Sequence, residues 1–329
     1  MSLTLNENET ENQTDNQTET ECLKYINTNG KQKCLKYAVE NGKLEWLIYL
    51  YENGYPFNDL NTCNSAAAGG HLECLKYLHV NGCPWDESTC AHAIKNGHLE
   101  CLKYLHENGC PFNDLNTCNN AASGGHIDVL NWLQANKCIW NEYTCGHAAG
   151  NRHLECLKYL HENGCPWDKE TTRSAAKNGH LECLKYAHEN NCPWSHRTCK
   201  GAARYGQLEC LKYAHENGSP WDEYTCQSAA LSGNLECLKY CHENGCPWDV
   251  DTCYYAAMNG ELECLKYAHE NGCPWDFETC SYAARFGHLE CLKYAHENGC
   301  PWNKKTCFWA AFGGHLECLK YARDNGCPE

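Results

Sequence analysis

The sequence predicts an all-helical array of stacked helix pairs, and three observations carry that prediction. One run, His-Leu-Glu-Cys-Leu-Lys-Tyr-Ala-His-Glu-Asn-Gly-Cys-Pro-Trp at 288–302, returns along almost the whole chain; its Cys falls at 156, 183, 210, 237, 264, 291 and 318, always 27 residues apart. The earlier steps from Trp46 to Cys74 and from Cys101 to Val129 are 28 residues, with the extra residue inside Pro-Phe-Asn-Asp-Leu-Asn-Thr-Cys. A segment that takes an insertion without disturbing the rest of its copy is a loop. No stretch alternates with the period of two that a strand requires. A fixed period in this range marks a repeat array rather than a globule around one core.

Taken in order, residues 1–20 are Asn, Thr, Glu and Gln with almost nothing to bury, so a disordered tail is expected there. The sequons at Asn8, Asn12 and Asn16 would matter only on a secreted chain. Residues 21–30 look like a fragment of a repeat, and the array proper starts near Lys31. The repeat region as a whole spans 21–329 and gives about eleven helix pairs. In most copies Asp, Asn or Ser follows the loop Trp, at Asp86, Asn141, Asp168, Ser195, Asp222, Asp249, Asp276 and Asn303. Each offers a side-chain oxygen to the unsatisfied N–H groups of a first turn. A short helix follows through Thr-Cys-x-x-Ala-Ala, broken by Gly97, Gly179, Gly206, Gly233, Gly260 and Gly287. A second helix runs from His-Leu-Glu to Asn-Gly-Cys-Pro, where Gly supplies the left-handed residue and Pro prevents continuation.

On the second helix Glu100, Lys103 and Glu107 share one face. Leu99, Cys101, Leu102, Leu105 and His106 occupy the other side, with Tyr104 at its margin. The charged stripe reads as a solvated outer face, its pairs worth ~0.2–0.5 kcal/mol each. One helix pair has too little surface to bury, so neighbouring copies must cover its apolar side. Tyr51 and Arg323 replace the recurrent helix His in the outermost pairs, as expected of capping copies.

A formal charge of -15 argues against nucleic acid or an anionic membrane as the main partner. No apolar run approaches the ~20 residues of a membrane span, and the N-terminus has no signal-like segment. Thirty cysteines in so long a chain, without an export signal, point to reduced thiols in a cytosolic setting.

The run Ala-Ala-x-x-Gly-His-Leu-Glu-Cys-Leu-Lys-Tyr-x-x-Glu-Asn-Gly resembles the ankyrin repeat from its first helix to the Gly ending its second. Leu99, Cys101, Leu102 and Leu105 fall where that family places packing residues, and the likeness covers roughly 31–329. Two departures matter: Thr-Cys stands where the family has Thr-Pro-Leu-His, and the period is six short of ~33. The resemblance therefore implies a right-handed ankyrin-like α-solenoid with shortened hairpin loops. In length and cysteine content the copies are similar to those abundant in giant DNA viruses of amoebae, for which the setting would be the host cytoplasm. The family implies protein–protein binding with no chemistry of its own.

Two other chemistries compete with packing as readings of the repeated Cys and His. Each copy offers thiols and a His, as at Cys101, His106, Cys110 and Cys118, with His98 as a possible fifth ligand. Zinc needs four ligands converging at ~2.0–2.3 Å. Cys101 and His106, five apart on one helix, are about 140° around it and cannot close on one ion alone. Losses are also piecemeal, to Val129, Gln134, Thr172, Ser219, Gln207, Asn234 and Glu261, which suits small buried side chains better than a ligand set. No metal and no cofactor are expected; a multi-site zinc binder is the alternative. Catalysis ranks last, because a nucleophile needs one distinctive environment and equivalent Cys and His in every copy do not provide it. The recurrent Trp reads as a ladder pinning each loop to its neighbour.

The informative residues are those that vary between copies. The two positions after Thr-Cys and the two after Ala-Ala span one arc of the first helix, opposite Ala-Ala and Cys. The resemblance places this arc on the concave recognition side. Early copies fill it with Asn64, Ser65, Asn119 and Asn120; middle copies add Arg173, Lys200, Arg204 and Tyr205. Late copies turn aromatic, with Tyr254, Tyr255, Tyr282, Phe286, Phe308, Trp309 and Phe312 around Arg285. Such a patch has the composition of a binding hot spot. The expected function is a monomeric, non-catalytic scaffold that holds another protein there. A ubiquitin-ligase adaptor, suggested by F-box fusions of similar repeats, is a weaker expectation, since only the polar tail stands ahead of the array.

Overall fold

The computed structural model describes residues 19–111 and 116–328. Most of the expected tail, and residues 112–115 of the second insertion, therefore lie outside the described residues; residues 19 and 20 already belong to a helix over 19–29, α1. Eleven helix pairs follow, from α2 (Lys31–Glu40) and α3 (Leu44–Glu52) to α22 (Lys304–Phe312) and α23 (Leu316–Asp324), with no strand among the described residues. Even-numbered helices are the first of each pair.

The chain divides into two compact units. One holds the described residues up to Trp140 together with Lys158–Glu162, the other Asn141–Leu157 and Asn163 onward. Within the first, α2 packs on α4 (Leu60–Gly69) and α4 on α6 (Glu87–Lys95). Within the second, α10 (Glu142–Gly150), α12 (Lys169–Lys177), α14 (Thr198–Arg204), α16 (Glu223–Leu231), α18 (Val250–Asn259), α20 (Phe277–Phe286) and α22 pack in that order. Most of the set the repeat pattern predicts is buried, but on the second helix Leu99 stays partly open and His106 is exposed. Cys and Ala-Ala of the first helix, as at Cys253, Ala256 and Ala257, and Cys-Leu of the second are enclosed, except that Ala311 in the last first helix is exposed. Small side chains on facing helices permit close approach.

Local chemistry sets the ends of each helix. Asp86 Oδ1 accepts from Ser88 N at 2.8 Å while Thr89 Oγ1 accepts from Asp86 N at 3.3 Å, a reciprocal cap. Asp168, Asp276 and Asn303 accept the corresponding backbone bond at 2.8–2.9 Å, without the return bond from Thr. Asp222 differs from the sequence expectation: its side chain makes no cap bond, its Oδ1 is buried without a partner, and burial raises its pKa. First helices end on left-handed glycines such as Gly97, φ 76°, and second helices on others such as Gly109, φ 80°. Lys137, Arg152 and Asn191 take the same conformation without being glycine.

Two features tie neighbouring copies together within each unit. His98 donates through Nε2 to the Ala68 carbonyl at 2.9 Å, and a Cβ on Gly70 would overlap its ring. Asn234 does the same work, donating to the Ala203 and Arg204 carbonyls at 3.0 and 2.8 Å. On the outer side His79 of α5 (Leu72–Val80) stacks on Trp85 at 3.7 Å and receives Tyr104 of α7 (Leu99–Glu107) at 2.9 Å. The same triplet returns at His215, Trp221 and Tyr240 and at His296, Trp302 and Tyr321. The Trp ladder is thus a set of His–Trp–Tyr clasps. Beside them Lys103 pairs with Glu100 at 2.7 Å on an exposed face, a contact of little energetic weight.

Candidate partner-binding face

The first helix presents two arcs because Cys and Ala-Ala turn inward at helical spacing. The opposite arc is less uniform than the sequence suggests. The first position after Thr-Cys faces packing: Asn64, Asn119, Gln227 and Ser281 are all buried there. Asn64 donates to Ser88 Oγ at 3.0 Å and accepts from Thr89 Oγ1 at 2.6 Å, so it bridges two first helices and is not open surface. The two positions after Ala-Ala stay at least partly open, as Arg285 and Phe286 do; the second position after Thr-Cys is partly open in Tyr282 but buried in Ser228.

All eight sequence-nominated residues are joined in one network across α18, α20 and α22. Tyr254 meets Tyr255 at 4.7 Å and Tyr282 at 4.6 Å, both edge-on. Burial, then Tyr282, hold the Tyr254 phenol well above its ordinary pKa. Arg285 sits at the centre, its guanidinium carbon 5.5 Å from Tyr282, 5.4 Å from Phe286 and 4.3 Å from the Trp309 ring. Trp309 touches Phe308 at 5.1 Å and Phe312 at 5.5 Å. Exposure grades along the patch: Tyr254, Tyr255, Tyr282 and Trp309 are half-buried, while Phe286, Phe308 and Phe312 are 40%, 57% and 70% exposed. Tyr254 and Phe308 occupy the position that is enclosed in Ser281 and Gln227; Tyr254 is half-buried there, whereas Phe308, on the last first helix, is open.

A second surface was only half legible in the sequence. Arg173, Lys200, Arg204 and Tyr205 line a cleft of about 210 Å³ together with Lys177 and Arg197. Lys177 sits over the Tyr205 ring at 4.9 Å and Lys200 over Tyr224 at 5.0 Å. Arg197 lies in the loop ahead of α14, outside the variable arc, which is why the repeat pattern did not point to it.

The thiols and histidines nominated for zinc do not converge. Cys110 Sγ lies 2.9 Å from Cys90 Sγ, and Cys118 Sγ 2.8 Å from Cys138 Sγ, so the set separates into two different pairs. His98 is engaged with the Ala68 carbonyl. One group of three thiols, Cys226, Cys241 and Cys246, does gather within 4.8 Å, all buried. Hydrogen bonds to Cys226 and Cys246, together with burial, push the Cys241 thiol up. Cys241 fills a place held by Ala187, Ala214, Ala268 and Ala295 in neighbouring copies, so the trio is local and not a property of the repeat.

Among curated proteins nothing matches. The crystal structure of the human ASB11 ankyrin repeat domain is similar at 20% identity and a TM-score of 0.46, over 56% of this chain and 98% of that one. Family models give the stronger result. One for ankyrin repeats in three copies matches residues 63–144, and one for ankyrin repeats in many copies matches 30–79, 226–269 and 280–326. These stretches together span more than half of the sequence, and with eleven all-α helix pairs beneath them the chain belongs to the ankyrin repeat family.

Proposed function

We propose that the chain is a non-catalytic scaffold that holds a partner protein on the open arc of its first helices, chiefly across α18, α20 and α22. The observation that carries this reading is Arg285 seated among three rings, with Phe286 and Phe312 open beside it. Aromatic and Arg side chains dominate binding energy where they cluster, and Arg285 is already held against its ring neighbours. An exposed apolar patch of this kind on a strongly acidic surface also calls for a cover. Thirty reduced, buried thiols suit a reducing compartment such as the cytoplasm.

The test is a double substitution, Tyr282→Ala with Trp309→Ala, in the full chain. Affinity capture with the unaltered protein should retain a partner that the variant loses at least tenfold, while the variant's helical circular dichroism and melting stay close to the original. Equal capture by both proteins refutes the patch. Phe312→Ser, at the most open position of the eight, should weaken capture with no cost in stability.

A further inference from the structure

We propose that the cleft between α12 and α14 is a second docking site, built for an acidic peptide segment of a partner protein and read through carboxylate or phosphoryl oxygens. It rests on the reading that the first-helix arc binds protein, but it uses different copies and opposite chemistry from the aromatic patch. Five of the chain's 27 basic residues, Arg173, Lys177, Arg197, Lys200 and Arg204, line this one hollow of a molecule with net charge -15. Only Arg173 has an ion-pair partner among the described residues, the Glu170 carboxylate one turn back. Lys177 and Lys200 are steadied by aromatic faces, an arrangement that holds an ammonium in place while leaving its protons available. Arg197 is steadied by donating from Nε to His196 Nε2 at 3.2 Å. Arg204 and Tyr205 are exposed at the rim, and Gly201 leaves the floor without a side chain.

The fold does not require these cations. At the places of Arg173 and Lys200 other copies of the same unit carry Gly146 or Ser281, and at those of Lys177 and Arg204 they carry Gly150 or Met258. Like charges gathered so closely repel one another. A ligand with several negative groups removes that repulsion and satisfies the guanidinium and ammonium donors together. Across α12 the surface continues into a second hollow of about 280 Å³, opened where Gly146 and Gly150 carry no side chain. An extended chain can therefore lie across the helix with its charges in the basic cleft. A long polyanion such as RNA fits less well, because its charges run past the cleft onto acidic surface.

The experiment is fluorescence anisotropy of the full chain with four labelled probes: octaglutamate, a Gly-Ser peptide with four phosphoserines, octaglutamine, and oligouridylate of matched charge. Octaglutamate or the phosphopeptide should bind and weaken with added salt, while octaglutamine should not bind. A phosphopeptide at least tenfold tighter than octaglutamate assigns the oxygens to phosphoryl groups; equal affinity or tighter octaglutamate assigns carboxylates. Arg173→Glu with Arg204→Glu should weaken the acidic peptide at least tenfold, and Arg204→Gln, at an exposed position, supplies a milder variant should the reversal disturb folding. Tyr282→Ala with Trp309→Ala should leave peptide binding unchanged, which separates this site from the aromatic patch. Equal binding of octaglutamine and octaglutamate, indifference to both Arg204 variants, or tighter binding of oligouridylate overturns the proposal.

Discussion

Lys137, Arg152 and Asn191 each stand where other copies place glycine, and each holds a φ of 64–69°. An L-residue with a Cβ pays roughly 1–2 kcal/mol for that conformation, and Asn the least. Glycine gives back part of the gain through the greater freedom of its unfolded chain. Lys137→Gly and Arg152→Gly are therefore expected to stabilise their copies by about 0.5–1 kcal/mol each, read as a higher urea midpoint with an unchanged slope. An unaltered or lower midpoint would show that neighbours relieve the strain. Most residue-scale features of this kind were legible beforehand, because a cap or a left-handed glycine is decided within four or five residues. Asp222 was not: its sequence is that of a capping residue, but whether a carboxylate reaches the N–H groups ahead of it depends on what encloses it.

The clasp between successive second helices works because Tyr104, its pKa raised by burial, keeps its proton and donates to His79 Nδ1. Burial also lowers His79 from its ordinary 6.5, and lowers His147 and His180 in the same direction. Below pH 6.5 the unfolded chain accordingly binds more protons at these sites than the folded chain does. Their contribution is complete above that value and is lost as pH falls through the lowered folded pKa values. Unfolding free energy should drop between pH 7.5 and 5.5, and His79→Gln should flatten the drop; an identical slope in the variant would remove His79 from the account. The existence and type of the paired helices were legible from the repeat together with the cap residues, glycine stops and helical spacing inside each copy. The division of the outward arc was not, because Asn64 and Ser281 become inter-helix residues only once the next first helix lies against them.

At the scale of the molecule the thirty cysteines behave as small core residues, every one buried and reduced. Burial pushes Cys101 and Cys183 up to about 11, so little thiolate is present to react at pH 8. Native protein should accordingly leave nearly all its thiols untouched by a disulfide reagent over minutes, and release all thirty in urea. Fast reaction of many thiols in the native state would contradict this burial. The repeat family could be recognised from the sequence because 27-residue spacing survives in every late copy. The pairing of Cys90 with Cys110 and the gathering of five cations could not, since both depend on which residues of consecutive copies face each other.

His98 shapes the turn at Gly70 from one copy further on, and His126 and Asn234 do likewise for the turns before them. These joints are keyed by their successors instead of by their own hairpins. A chain assembled from such joints can shed or acquire a full period and keep each seam intact, which leaves the outward arc at liberty to diversify.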